Sequence, residues 1–138
     1  MFFNQKEENN PESNFVKIAA LLIYAAKIDE KYSDDEEKII RKTLLNLGVS
    51  ENNLDTLIMR AKKCEENANQ ILDFTKEIKN LEEIDKIKII RSLWRIIYSN
   101  KDADIYETNL MRRLSGLLYI DSKIMGDIKE KIKNEDSL

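Results

Sequence analysis

The chain contains no histidine. That removes the usual general base near neutral pH, the commonest zinc ligand and the residue that titrates in the physiological range. Cysteine is nearly absent too. Cys64 stands alone, so no internal disulfide can form, and a single thiol fits a reducing compartment. On a helix it reads as a half-buried packing residue rather than a reactive one. One proline and three glycines leave little material for sheets joined by tight turns. The longest apolar run, Ile18 to Ala26, is about half the ~20 residues that a membrane-spanning helix needs. The opening MFFNQKEENN has no basic stretch ahead of an apolar one, so it is not read as a secretory signal. Phe2 and Phe3 within it are expected to belong to a frayed terminus.

What the chain has in quantity is charge, 36% of its 138 residues, with 26 acids nearly balanced by 23 bases for a net −3. That balance predicts no general attraction to nucleic acid, and the short apolar run predicts no stable membrane insertion. The Lys62-Lys63 and Arg112-Arg113 pairs read as solvated helix faces. The length suits one domain able to bury a core without disulfides or metal.

Sliding the sequence along itself by 71 positions reveals an internal repeat. AKIDEKYSDDEEKIIRKTLLNLGVS, residues 26 to 50, falls on IYSNKDADIYETNLMRRLSGLLYID, residues 97 to 121. Asp29 aligns with Asn100, Ser33 with Asp104, Glu36 with Glu107, Arg41 with Arg112 and Leu47 with Leu118. The apolar register continues beyond, pairing Ile18 with Ile89, Leu22 with Leu93 and Leu54 with Met125. One supersecondary unit used twice is the expectation.

Helical periodicity fills the units. A first helix is predicted from about Glu12 to Ile28, with Phe15, Ile18, Leu22 and Ala25 or Ala26 on its stripe. A second starts after Ser33, carries Ile39, Ile40, Thr43, Leu44 and Leu47, and stops at Gly48. Ser50 is expected to cap a third, with Leu54, Leu57, Ile58 and Ala61 inward. A short fourth covers about Asn69 to Lys79, and a fifth runs from after Asn80 to about Ser99. The broad stripe of Ile87, Ile90, Leu93, Trp94, Ile96 and Ile97 marks the fifth as the expected central, most buried helix. A sixth starts near Ile105, and Asp121 or Ser122 caps a seventh. The predicted fold class is all-α, a compact bundle of about seven helices built from two pseudo-symmetric repeats, 15–62 and 86–133, between tails at 1–11 and 134–138.

The acidic loops carry the functional reading. Asp29 to Glu37 holds six carboxylates against Lys31, and its mate holds Asp102, Asp104 and Glu107 with Lys101. Oxygen donors without histidine suit a hard divalent cation, calcium, magnesium or manganese, and not a catalytic zinc. If the repeats pack face to face, Asp29, Glu36, Asn100 and Glu107 converge. The same spacing has a structural explanation. Ser33-Asp-Asp-Glu36 and Asp104-Ile-Tyr-Glu107 both match a capping box, and the neighbouring acids suit the positive end of a helix dipole. Neither loop is an EF-hand. In the second, Ile105 stands at the glycine position and Met111 at the bidentate glutamate position, and in the first Lys31 occupies a ligand position. No glycine-rich phosphate loop, Cys-x-x-Cys pair or nucleophile elbow is present. Tyr24, Trp94 and Tyr98 sit on apolar stripes and read as core.

Two stretches resemble a known family. AALLIYAAKIDEKYSDDEE is similar to the aspartate loop, acidic residue and glutamate of the TerB-like (tellurite resistance protein B) family. ILDFTKEIKNLEEIDKIKIIRSLWRIIYSNKDADIYETNLMRRLSGLLYI is similar to its leucine-tryptophan helix, second loop, tyrosine-glutamate pair, arginine pair and LLY. The resemblance spans about residues 14 to 133 and is greatest to the small stand-alone proteins of alphaproteobacterial type. It implies an all-α fold of two helical repeats, an acidic centre proposed to bind metal, and association with stress responses to tellurite and other chemical insults. Carried over by position, the family's site residues are Asp29, Glu36, Asn100 and Glu107. Asn100 replaces an aspartate, and Glu30 and Lys101 replace the loop glycines, which weakens the second half of a metal centre.

The expectation is therefore a cytoplasmic, non-enzymatic binding or scaffold module in a stress response, with a divalent cation or a basic protein surface at its acidic helix N-termini. The rivals are a metal-assisted hydrolase using the same carboxylates and a purely structural interaction domain. The partner and the oligomeric state are not legible in the residues.

Overall fold

The computed structural model describes the backbone of residues 11–28, 33–99 and 105–135, with side chains for all but 11, 12 and 105–108. These residues form seven helices and no strand: α1 (Pro11–Ala26), α2 (Asp34–Asn46), α3 (Glu51–Asn67), α4 (Leu72–Ile78), α5 (Glu83–Tyr98), α6 (Ile105–Leu117) and α7 (Ser122–Glu135). The all-α class is as expected. Some edges differ. Pro11, expected in a tail, opens α1, a position where its missing N–H costs nothing. α7 runs to Glu135, past the expected boundary. α4 is shorter than its apolar pattern suggested, because the Asp73 carboxylate accepts the Asn69 and Gln70 amides and shapes the turn before it.

α1 packs against α2, α3, α4 and α5, while α2 also packs on α5 and α7 on both α5 and α6. Every residue from Ile18 to Ile23 is buried, as are Ala25 and Ala26. That stretch is apolar all round rather than amphipathic, and it must be enclosed. The expectation that the fifth helix is the most buried therefore needs correction. α5 buries Ile89, Ile90, Leu93, Trp94, Ile96 and Ile97, but one face stays half-exposed at Lys88, Arg91 and Arg95. The alanines of α1 account for the difference. They add little to an apolar stripe, yet they let neighbouring helices close in on every side.

Helices α2 and α6 end in the same way. Gly48 lies in the left-handed region at φ 112°, and Tyr119, 71 positions on, does so at φ 58°. Val49 N–H bonds Leu44 C=O at 3.0 Å and Gly48 N–H bonds Leu45 C=O at 3.1 Å. Ile120 N–H bonds Ser115 C=O at 2.9 Å and Tyr119 N–H bonds Gly116 C=O at 3.3 Å. Both are Schellman caps, which satisfy the last carbonyls of each helix. Helix starts keep the same spacing, Asp34 with Ile105 and Glu51 with Ser122.

Lys86, in the first turns of α5, is buried to 8% exposure. Its ammonium donates to Lys79 C=O at 3.1 Å and Leu118 C=O at 3.0 Å, the residues that follow α4 and α6. One side chain thus ties three helix ends together. A buried cation is tolerated there because two carbonyls at the negative ends of helices receive it.

Three stability outcomes follow in urea or thermal unfolding. Tyr119→Gly should stabilise by about 1 kcal/mol, because glycine relieves the left-handed strain. Gly48→Ala should destabilise by a similar ~1 kcal/mol, from the backbone alone, since a Cβ at that position meets no atom within 4 Å. Lys86→Met should cost about 2 kcal/mol, because it leaves two carbonyls without their donor. A Met variant as stable as the parent would show that the ammonium is dispensable.

Candidate functional site

Ser33 is the N-cap of α2, with extended backbone at φ −88° and ψ 164°. Its hydroxyl accepts the Glu36 amide at 3.1 Å, and Glu36 Oε1 accepts the Ser33 amide at 2.9 Å. The predicted capping box is formed. Glu36 is 1% exposed, which is unusual for a carboxylate, and the paired cap bonds are what allow it.

The rest of the acidic first turn divides by role. Glu37 reaches Lys62 of α3 at 3.3 Å and Arg41 of its own helix at 3.7 Å. Arg41 in turn bonds Asp55 of α3 at 2.7 Å. Lys62, expected on a solvated face, thus serves as a strut between α2 and α3. Lys27, just past the end of α1, pairs with Glu65 of α3 at 2.6 Å. Partly exposed pairs of this kind contribute about 0.2–1 kcal/mol each, so their effect is mainly to set the register of the three helices. Asp34 and Asp35 are exposed at the positive end of the helix dipole.

Of the four predicted site residues, Glu36 alone has a described side chain. Asp29 and Asn100 lie outside the described residues, and Glu107 is described only as backbone within α6. The Asp104–Glu107 capping box likewise lies outside them. Among the described residues no group of three or more acidic, histidine or cysteine side chains is placed to hold a metal. Ser50 precedes α3 as its N-cap, but its side chain makes no cap bond. Asp121 does cap α7, accepting the Lys123 amide at 2.8 Å.

The aromatic residues lie on the core as expected. Trp94 is buried and stacks on Tyr98 with centroids 5.9 Å apart, and Tyr24 tilts against Phe74 at 6.2 Å. Burial, and then the nearby Glu130 charge, push the Tyr98 phenol above its ordinary value. Lys129 lies over the Trp94 ring at 5.5 Å.

A polar site that the residue pattern did not flag lies between α2 and α5. Thr43 and Ser92 are both buried and meet hydroxyl to hydroxyl. Thr43 also donates to Ile39 C=O at 2.7 Å, and Ser92 contacts Lys88 C=O at 3.1 Å. Around them Asn46, Lys88, Arg91 and Arg95 complete the lining of a 270 Å³ pocket. Only the repeat register carried a signal for the buried polar residues. It sets Ser92 against Leu21 and Lys86 against Phe15, polar side chains at apolar positions.

No curated protein and no solved structure matches the chain significantly. No helix among the described residues is long and apolar enough to cross a membrane. The sequence pattern of the family described as Tellurite resistance protein TerB matches residues 15–130. That match runs from within α1 to within α7 and takes in both acidic loops, the Ser33–Glu36 cap and both Schellman turns. On this match, the chain belongs to the TerB family.

Proposed function

We propose that this TerB family member is a non-enzymatic binding or scaffold module that acts in the cytoplasm in a stress response associated with tellurite resistance. In this reading, a hard divalent cation of the calcium, magnesium or manganese class binds at its acidic helix N-termini. The observation that carries the proposal is Glu36, a carboxylate buried to 1% exposure and oriented by its capping box. Asp29, Asn100 and Glu107 are its proposed partners, an all-oxygen donor set that suits such cations. Capping and coordination are compatible, because an ionised carboxylate offers about four lone-pair sites over its two oxygens. A basic surface on a protein partner is the other ligand that this acidic junction suits. The lack of histidine, together with the structural use of Glu36 and Glu37, supports a binding role rather than hydrolysis.

One observation favours a second reading. The capping box by itself accounts for Ser33 and Glu36, so the acids would serve α2 alone and the protein would be a purely structural interaction domain.

Thermal unfolding with added calcium, magnesium or manganese separates the two. The proposal expects the melting temperature to rise with metal, and Glu36→Gln combined with Glu107→Gln to abolish the rise. Glutamine can still accept the cap amide but carries no charge, so helix capping is largely preserved in that variant. A flat response to about 1 mM metal, a concentration corresponding to roughly 4 kcal/mol of binding, would remove the metal half of the proposal. A variant whose melting temperature differs from the parent's by the same small amount with and without metal supports the cap-only reading.

A further inference from the structure

The pocket between α2 and α5 is cationic in a protein whose net charge is −3. Lys88, Arg91 and Arg95 line it at i, i+3 and i+7 of α5, and no carboxylate is among its lining residues. All three are half-buried. Arg95 donates to Glu135 of α7 through Nη2 at 3.3 Å and Nε at 3.4 Å, and with Arg91 it also lines a neighbouring groove that holds Asp127 and Glu135. Lys88 and Arg91 have no ion-pair partner among the described residues. A cation partly removed from water without a counter-charge costs free energy, and a bound anion offsets that cost.

The remaining lining is suited to oxygen ligands. Asn46 brings a carboxamide from the last turn of α2, and Thr43 and Ser92 bring hydroxyls at the wall. Two hydroxyl protons serve three contacts there: Thr43 to Ile39 C=O, Ser92 to Lys88 C=O, and the hydroxyls to each other. Either hydroxyl can turn its proton towards a ligand only in exchange for one of these contacts. Guanidinium and ammonium groups from one helix face, a carboxamide and hydroxyls are the donors that recognise a phosphate-class oxyanion. Size argues the same way. At 270 Å³ the pocket falls below the ~300 Å³ at which sites for drug-sized ligands begin, so it fits a phosphate or a small phosphomonoester.

We propose that Lys88, Arg91 and Arg95, with Asn46, Thr43 and Ser92, form a binding site for a phosphate-class oxyanion, either inorganic phosphate or the phosphate of a small ester. The site is separate from the acidic junction and does not depend on metal binding there. The competing explanation is that the arginine stems only cover the isoleucines between α5 and α7, with their charged heads in water.

The experiment uses the full chain, titrated with inorganic phosphate and, separately, with glycerol phosphate, against sodium chloride at matched ionic strength. Binding is read by calorimetry and by amide chemical shifts. Saturable binding is expected, with shifts confined to residues near 43–46 and 88–95. Arg91→Gln and Lys88→Gln should each weaken it about tenfold, equivalent to about 1.4 kcal/mol, with little change in melting temperature. Lys131→Gln, in the neighbouring groove, should leave it unchanged. Tighter binding of glycerol phosphate than of phosphate identifies an ester as the ligand, and the reverse order identifies the free ion. Three results would overturn the proposal: no saturation by about 10 mM, the same shifts with chloride, or variants that lose stability while binding as the parent does.

Discussion

The middle of α1 has no face to offer water. From Ile18 to Ile23 every side chain is buried, so the helix is satisfied only when other helices surround it. Each large apolar side chain enclosed there contributes about 1.5–3 kcal/mol relative to exposure, and this burial draws α2, α3, α4 and α5 around one axis. The surrounding helices can be amphipathic because α1 is not. Their polar faces turn outward, and the ion pairs between Lys27 and Glu65, Glu37 and Lys62, and Arg41 and Asp55 fix α3 against its neighbours at the rim. Packing sets the arrangement and charge sets its register.

Wrapping one helix with several others creates many helix ends, and each end carries unpaired backbone groups. The chain meets that demand with local devices, which explains where its polar residues sit. Ser33 and Glu36 close the start of α2, Asp121 closes the start of α7, and the two Schellman turns close α2 and α6. Where backbone and nearby side chains are not enough, Lys86 reaches between α4 and α6. Gly48 and Tyr119, 71 positions apart, take the same left-handed turn. Glycine adopts that φ freely, whereas tyrosine is strained by it.

What was legible in the residues follows from that distinction. Periodicity gave all seven helices, and cap chemistry gave Ser33, Glu36, Gly48 and Asp121, because both are local and leave a pattern in neighbouring positions. The dominance of α1 was obscured because alanine contributes little apolar area while permitting close approach. Lys86 was not legible because its partners, Lys79 and Leu118, are backbone carbonyls from two other segments, and a carbonyl leaves no mark in a sequence. The same holds for the cationic pocket. Lys88, Arg91 and Arg95 look like an ordinary solvated face until α2 places Thr43 and Asn46 opposite them. The acidic loops were legible in composition, but what their carboxylates do depends on geometry across the bundle. At Glu36 that geometry includes a cap and near-complete burial. Asp29, Asn100 and Glu107 lie where no side chain is described.

α2 relates the two candidate sites. Its acidic first turn holds Glu36, and its last turn brings Asn46 to the cationic pocket, ten residues further on. At 1.5 Å per residue the two ends are about 15 Å apart, roughly twice the screening length of about 8 Å at physiological salt. Acids at the N-terminus and cations at the C-terminus both complement the helix dipole, so the signs of charge at the two ends need no ligand to explain them. The dipole does not account for the position of the cations. They come from α5, are half-buried, and surround hydroxyls rather than carboxylates. Screening over that distance also means that a cation at one end and an oxyanion at the other would bind with little mutual effect. The helix joins them mechanically, through its caps and its packing on α1, more than electrically.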